Sequence, residues 1–243
     1  MKRNDLIEYD YFDNIDTEYK AYILGLIYAD GCINDKVQGR REWRLQISIQ
    51  EEDGLILQKL LDDTNKNKLV IRNPPSTIKN NWKKQLTACV NNTYLCKQLI
   101  QLGCFPRKSV NGMTFPNLSL ELISHFIRGF FDGDGSVMIK KSTYKGKKVT
   151  TTRYFLRTAF TSTDSIFLDT LISYLPITKV YKTNVTKRSV IHTYWIERQD
   201  DIINLRDYLY KDANYFFNRK YNKFYMPISS QATSTLVEGS ETT

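Results

Sequence analysis

The chain has 243 residues, 41% hydrophobic and 13% aromatic, enough apolar surface to bury a core without disulfides or a structural metal. Thirty-five Lys and Arg against 26 Asp and Glu leave a formal charge of +9, which favours a polyanionic partner. Cys32, Cys89, Cys96 and Cys104 form no Cys-x-x-Cys pair and only two histidines exist, which argues against zinc and for reduced thiols in an intracellular protein. The first residues lack the apolar run of a signal peptide, and no stretch approaches the ~18 apolar residues of a membrane span, so no membrane partner is expected.

In chain order, the first periodic segment is YILGLIYADGCI from Tyr22, a helix with Asp16 as its cap. RREWRLQISIQ (40–50) alternates as a strand, EDGLILQKLLDD (52–63) is an amphipathic helix, two strands lie near 68–72 and 82–90, and TYLCKQLIQLG ends a helix at Gly103. Residues 105–118, with Pro106 and Pro116, read as a connector. Ser119 then caps a second helix, FIRGFFDGDGSV from Phe126, which aligns with the first without a gap. After it come strands VMIKK (137–141) and TRYFLRTAFTS (152–162), helix DSIFLDTLISYL (164–175), strands VYKTN and SVIHTYWIE, and helix DIINLRDYLY. The expected fold is therefore α+β, two pseudo-symmetric αββαββα halves at 1–104 and 119–226. The tail, 227–243, has no apolar periodicity and is expected to be disordered.

The repeat also places chemistry. Gly25 and Ala29, and likewise Gly129 and Gly133, make a small-x-x-x-small pair that lets two helix backbones approach closely. If the helices meet there, their C-terminal ends lie together and Asp30 and Asp134 share one site. Gly31 and Gly135 follow, where a helix stops and a strand begins. Two carboxylates with neighbouring carbonyls at Ala29 and Gly133 suit hard ions, Mg²⁺ or Mn²⁺, and two or more such ions can activate water against a phosphodiester.

ILGLIYADG (23–31) and IRGFFDGDG (127–135) resemble the nine-residue motif of the LAGLIDADG homing endonucleases. The first copy has Tyr28 where the namesake has Asp, but Asp30 and Asp134 both keep the acid before the final Gly. The resemblance extends over the chain except the tail. It implies a DNA-binding saddle of antiparallel sheets and a single-chain, monomeric enzyme that cuts both strands of a long asymmetric duplex across the minor groove, leaving 3′ overhangs. It further implies catalytic roles for Gln50, with Ser162 as its weaker counterpart, and for Lys108 and Lys220, with Arg107 and Arg219 beside the phosphates. Two alternatives stay open on the same scaffold: an RNA maturase acting on its host intron, and a cleavage-dead DNA-binding regulator.

The DNA surface is read from charge and alternation. Basic loops lie at KVQGRR (36–41) with Arg40 and Arg41, at Lys79, Lys83 and Lys84, at KKSTYKGKK (140–148) with Lys140 and Lys141, and from Lys182 to Arg188 with Lys187. Arg44, Gln46, Ser48 and Gln50 alternate with Leu45, Ile47 and Ile49, leaving one face free to read bases. Arg153 and Arg157 would share a face with Phe155 and Ala159, which suggests a bulge or a different register.

Overall fold

The repeated segments become two helices, α1 (Glu18–Asp30) and, later in the chain, α5 (Leu120–Asp134). Ten residues of α1 are buried, so it is apolar on every side and can only be the centre of the molecule. Its cap is Thr17, whose hydroxyl accepts from the Lys20 N–H at 3.3 Å, and not Asp16, which pairs instead with the Lys20 ammonium at 3.0 Å. Ser119 does stand at the N-cap of α5, without a side-chain bond. The structure, a computed structural model, describes residues 10–35, 42–64, 69–72, 83–145, 149–186, 190–225 and 233–236.

After α1 the chain forms β1 (Gly31–Asn34), β2 (Arg44–Gln50), α2 (Leu55–Asp63), β3 (Leu69–Arg72), β4 (Gln85–Asn91), α3 (Thr93–Gln101) and the short α4 (Lys108–Asn111). Following α5 come β5 (Ser136–Lys145), β6 (Val149–Ser162), α6 (Ser165–Ser173), β7 (Tyr181–Thr186), β8 (Val190–Ile196), α7 (Gln199–Tyr210) and the short α8 (Asn218–Tyr221). The sheets run β1-β2-β4-β3 and β5-β6-β8-β7, antiparallel throughout and in the same topological order. The molecule is thus an α+β protein of two pseudo-symmetric αββαββα halves. A final strand, β9 (Thr233–Leu236), pairs with Val149–Thr152 of β6, so four residues of the tail expected to be disordered are backbone-paired.

In β2, Leu45, Ile47 and Ile49 are buried while Arg44, Gln46, Ser48 and Gln50 stay partly open, as the alternation predicts. The strand begins at Arg44, four residues after the expected start; Arg40 and Arg41 lie outside the described residues. In the second sheet the expected bulge is absent: pairing runs unbroken from Ser136 opposite Ala159 to Lys145 opposite Thr150. Arg153, Phe155, Arg157 and Ala159 do share one face, because Leu156, Thr158, Phe160 and Ser162 face the core. The apolar pair on the open face is covered by cations and a ring: the Lys140 ammonium lies 5.6 Å from the Phe155 ring centroid, while Trp195, with the Arg157 guanidinium 3.5 Å from its centroid, stands opposite Ala159. Among the described residues no helix is long and apolar enough to cross a membrane.

Candidate active site

α1 and α5 touch through backbone. A methyl group at Gly25 would stand 2.0 Å from the Phe126 carbonyl oxygen, and one at Gly129 would stand 1.9 Å from that of Tyr22. One turn and more further on, a methyl at Gly133 would stand 2.2 Å from the Ala29 side chain and 3.0 Å from an Asp30 carboxylate oxygen. Asp30 therefore lies across Gly133, one residue from Asp134, and the two acids meet at the paired C-terminal ends. The Gly31 and Gly135 amides close their helices onto the Ile27 and Phe131 carbonyls. Two anions at two negative dipole ends repel one another, a cost that cations must offset.

Lys108 and Lys220 supply part of that offset. The Lys108 ammonium donates to the Ile27 carbonyl at 2.9 Å and to that of Gly31 at 2.5 Å; Lys220 donates to those of Phe131 at 2.7 Å, Gly133 at 3.2 Å and Gly135. Ile27 and Phe131, like Gly31 and Gly135, are equivalent positions of the repeat. Each lysine thus sits on the terminal carbonyls of the helix that carries its own half's aspartate. Burial pushes the Lys220 ammonium down to about 8 and lowers Lys108 as well.

The carboxylates are open to solvent on one side and ringed by protein on the others. Burial raises Asp30 against the pull of Lys108 and Lys220, and burial together with the Asp30 charge pushes Asp134 up to about 6. Because that folded value lies above the ~3.9 of a free aspartate, the stability it contributes is whole below about pH 4 and is lost as pH rises through 6. Lys220 gives the opposite slope, but only near and above its value of about 8. Asp132, raised to about 6, adds to the Asp134 slope and His125, lowered by burial, opposes it, so the part owed to Asp134 is the melting-temperature difference between about pH 5 and about pH 7.5 that Asp134→Asn removes in metal-free buffer. If Mg²⁺ binds the ionised pair, it should raise the melting temperature more at the higher pH, and Asp134→Asn should remove most of that difference. An equal Mg²⁺ effect at both pH values in thermal melts would contradict this electrostatic picture.

The sixth position of each motif anchors the segment that brings in the lysine. The single Tyr28 hydroxyl proton lies between the Leu102 carbonyl at 2.5 Å and that of Thr114 at 3.0 Å, on either side of Lys108. Its counterpart Asp132 is fully buried and accepts from the Tyr22 and Tyr210 hydroxyls at 2.9 and 2.7 Å and from the Phe217 N–H at 2.8 Å, three residues before Lys220. Burial pushes Asp132 up to about 6. Tyr28→Phe removes the one proton these two carbonyls share and is expected to cost roughly 1–2 kcal/mol in denaturant unfolding.

At the sheet end beside this cluster, the Gln50 carbonyl oxygen is buried and has no hydrogen-bond partner among the described residues. Ser162, at the matching place, accepts from the Asp164 N–H at 3.1 Å. The two carboxylates at the paired helix ends offer oxygen donors, which suit a hard, partly hydrated divalent cation and not zinc. Among the described residues no three His, Cys, Asp or Glu side chains cluster as metal ligands, so any ion here leans on carbonyl, phosphate and water oxygens as well.

Residues 127–227 match the family described as LAGLIDADG endonuclease. The fold of the chain as a whole is that of solved LAGLIDADG proteins. It superposes on the meganuclease I-AabMI, solved with uncleaved DNA, with a TM-score of 0.55 at 15% identity over 86% of this chain and 88% of that one. For the meganuclease I-SmaMI, solved with an uncleavable DNA, the values are 0.55, 14%, 87% and 87%. For the homing endonuclease I-LtrWI, solved with its target DNA, they are 0.53, 15%, 84% and 87%. Comparison with curated proteins finds no match by sequence. The LAGLIDADG segment contains Asp134 and Lys220; Asp30 and Lys108 stand in the half related to it by the internal repeat.

The residues expected to face DNA fall into two groups. Lys84, Lys141 and Arg153 are exposed cations on loops and sheet. The others are held by neighbours: Arg44 donates to Asn91 at 2.8 Å, Ser48 bonds Thr87 at 2.8 Å, Lys83 pairs with Glu52 at 2.8 Å, and Lys182 pairs with Asp169. Lys140 and Arg157 meet one carboxylate, Glu197, at 3.2 and 2.6 Å. Gln46 is half-buried on the open face of β2. Lys187 and Arg188, like Arg40 and Arg41, lie outside the described residues.

Sequence reasoning misses the clamp at the opposite end of the helix pair. Arg128, 1% exposed, donates to Glu18 at 2.7 Å and to the carbonyls of Leu209 and Tyr215, and Glu18 also accepts from the amides of Asn214 and Tyr215. An arginine inside an apolar motif helix is the one signal that could have disclosed it, since a buried charge demands a partner.

Proposed function

We propose that the chain is a site-specific endonuclease that hydrolyses both strands of a long asymmetric DNA duplex, using divalent ions held at Asp30 and Asp134. The observation that carries this reading is the approach of Asp30 across Gly133 to Asp134, flanked by Lys108 and Lys220. The DNA-bound states of I-AabMI, I-SmaMI and I-LtrWI support the choice of substrate, and I-SmaMI has also been solved with an uncleaved target and calcium.

Asp30 and Asp134 would hold the ions with the carbonyls of Ala29 and Gly133 and with Gln50, two or more Mg²⁺ or Mn²⁺ suiting the purpose. Bound there, the ions supply Lewis acidity at the scissile phosphate and lower the pKa of water. The chain's own part is electrostatic and positional. Lys108 and Lys220 sit beside the carboxylates and offset charge that develops on phosphate oxygens. Gln50 offers an unmatched oxygen that can orient a water, whereas Ser162 is already engaged, so the two strands meet unequal surroundings. Lys84, Lys141 and Arg153 contribute salt-dependent phosphate contacts, and the polar face of β2 reads base edges. Approach from the minor groove would leave staggered 3′ ends, and a single chain carrying both halves acts as a monomer.

Selection of cleaved sites from a randomised duplex library with Mg²⁺ tests the proposal. One recovered asymmetric site, cut on both strands, is the expected result. A site bound but uncut in Mg²⁺, or preferential binding to structured intron RNA, would overturn it.

A further inference from the structure

The two lysine segments are each tied to the half they do not belong to. Lys108 lies in α4, directly after the first half, and the Gly112 amide closes that turn onto the Lys108 carbonyl at 2.9 Å. Its tie is Asp164 of the second half: the carboxylate accepts from the Met113 N–H at 2.8 Å and from the Phe167 N–H of α6 at 3.0 Å. The fit is close, since a methyl on Gly112, whose φ is +76°, would stand 2.8 Å from the same Asp164 oxygen. Lys220 lies in α8, after the second half, and its neighbour Arg219 donates to Asp53 of the first half at 2.7 Å, with Glu52 at 4.0 Å. Asp53 is only 7% exposed.

Asp53 and Asp164 both lie in the turn between the second strand and the second helix of their halves, Asp53 one residue before the N-cap Gly54 and Asp164 itself the N-cap, just beyond Gln50 and Ser162. The exchange is reciprocal. Each turn ends the strand bearing one half's polar site residue and grips the segment bearing the other half's lysine.

Resting on the endonuclease reading above, we propose that Asp53 and Asp164 are paired positioning residues: each fixes the lysine of the opposite half, so that the two halves assemble both cutting centres together. Neither carboxylate touches the reacting atoms. The ammonium of each lysine is seated on helix-end carbonyls of its own half, and on a stem of four methylenes it holds that seat only if the backbone at its root is also held. Motion of one half relative to the other would drag a lysine with it, and the two ties make that motion symmetrical.

Asp53→Asn and Asp164→Asn separate this from simple structural support. Asn at 164 keeps an oxygen for the Phe167 N–H, hence the cap of α6, while it turns an amide N–H₂ toward the Met113 N–H. At 53 it keeps the shape and loses the charge facing Arg219. Two readouts are taken on the full chain. The first is residue-resolved labelling of lysine amines with acetic anhydride, followed by mass spectrometry. Asp53→Asn should speed labelling of Lys220 by about tenfold with Lys108 unchanged, and Asp164→Asn should do the reverse, the loss of one charge-assisted bond setting that scale. The second is the rate of cutting each strand of the duplex recovered by selection: each variant should slow a different strand about tenfold, so that nicked duplex accumulates. Equal changes at both lysines, no change at either, or equal slowing of both strands with a lowered melting temperature would overturn the proposal. If the wild type cuts no duplex, the endonuclease reading fails and the labelling still decides the ties.

Discussion

Asp30→Asn and Asp134→Asn are each expected to abolish cutting of both strands while DNA binding stays within about threefold of the wild type. Asn keeps the shape of the side chain and its place at the helix end, but it is a poor ligand for a hard cation. An ion at a scissile phosphate contributes several kcal/mol to the transition state, so the rate should fall by about 10³-fold or more. Binding should not fall with it. On the proposed function the acids would stand among phosphates in the complex, where removing a negative charge reduces repulsion. In metal-free buffer the variants should bind at least as tightly, and they should also be more stable there, since burial and mutual repulsion already oppose ionisation of the pair. Per-strand cleavage rates beside a gel-shift titration check both halves of the expectation. A variant that cuts at an undiminished rate, or one that loses DNA and stability together, would remove Asp30 and Asp134 from the mechanism.

The second large effect concerns the helix pair. Gly129→Ala should destabilise by about 3 kcal/mol or more, because the new methyl would stand 1.9 Å from the Tyr22 carbonyl oxygen and backbone, unlike a flexible side chain, cannot swing away. The direction is diagnostic. In an uncrowded helix the same replacement stabilises by up to about 1 kcal/mol. For a chain of this size the loss corresponds to roughly 6–12 °C in melting temperature. Gly25→Ala, facing Phe126 at 2.0 Å, should behave alike. Calorimetry decides: an unchanged or raised melting temperature would mean that α1 and α5 do not meet along this line. Cleavage should suffer beyond the stability loss, since separating the helices separates the acids at their ends.

Much of this arrangement is written in local pattern. A gapless repeat with small residues four apart points to helices that touch, and the acid at the end of each copy follows from the same alignment. The alternation of Leu45, Ile47 and Ile49 with polar neighbours orients β2 without further information. What escapes is decided at long range. Thr17 displaces Asp16 as the cap because Lys20 engages Asp16 through its side chain, which periodicity cannot register. Phe155 and Ala159 break the pattern of β6 only if their neighbours are ignored; with Lys140 over the Phe155 ring and Trp195 facing Ala159 beneath Arg157, the straight register is satisfactory. β1, four residues long, is too short for alternation to reveal, and its pairing with β2 defines it. Tyr28 and Asp132 look like a departure from a repeat and its restoration, yet both hold a lysine-bearing segment, one by donating and the other by accepting. Nothing within ten residues of either announces that role.

On the proposed function, two acids 104 residues apart in the chain form one metal site. The most direct measurement is Mn²⁺ affinity of the protein–duplex complex for the wild type, Asp30→Asn, Asp134→Asn and the double variant. A shared site predicts that either single substitution weakens binding by at least about tenfold and that the double variant is little worse than either one, a strong coupling between neighbours. Two losses that simply add, as for separate sites, or affinities that do not change, would contradict the account.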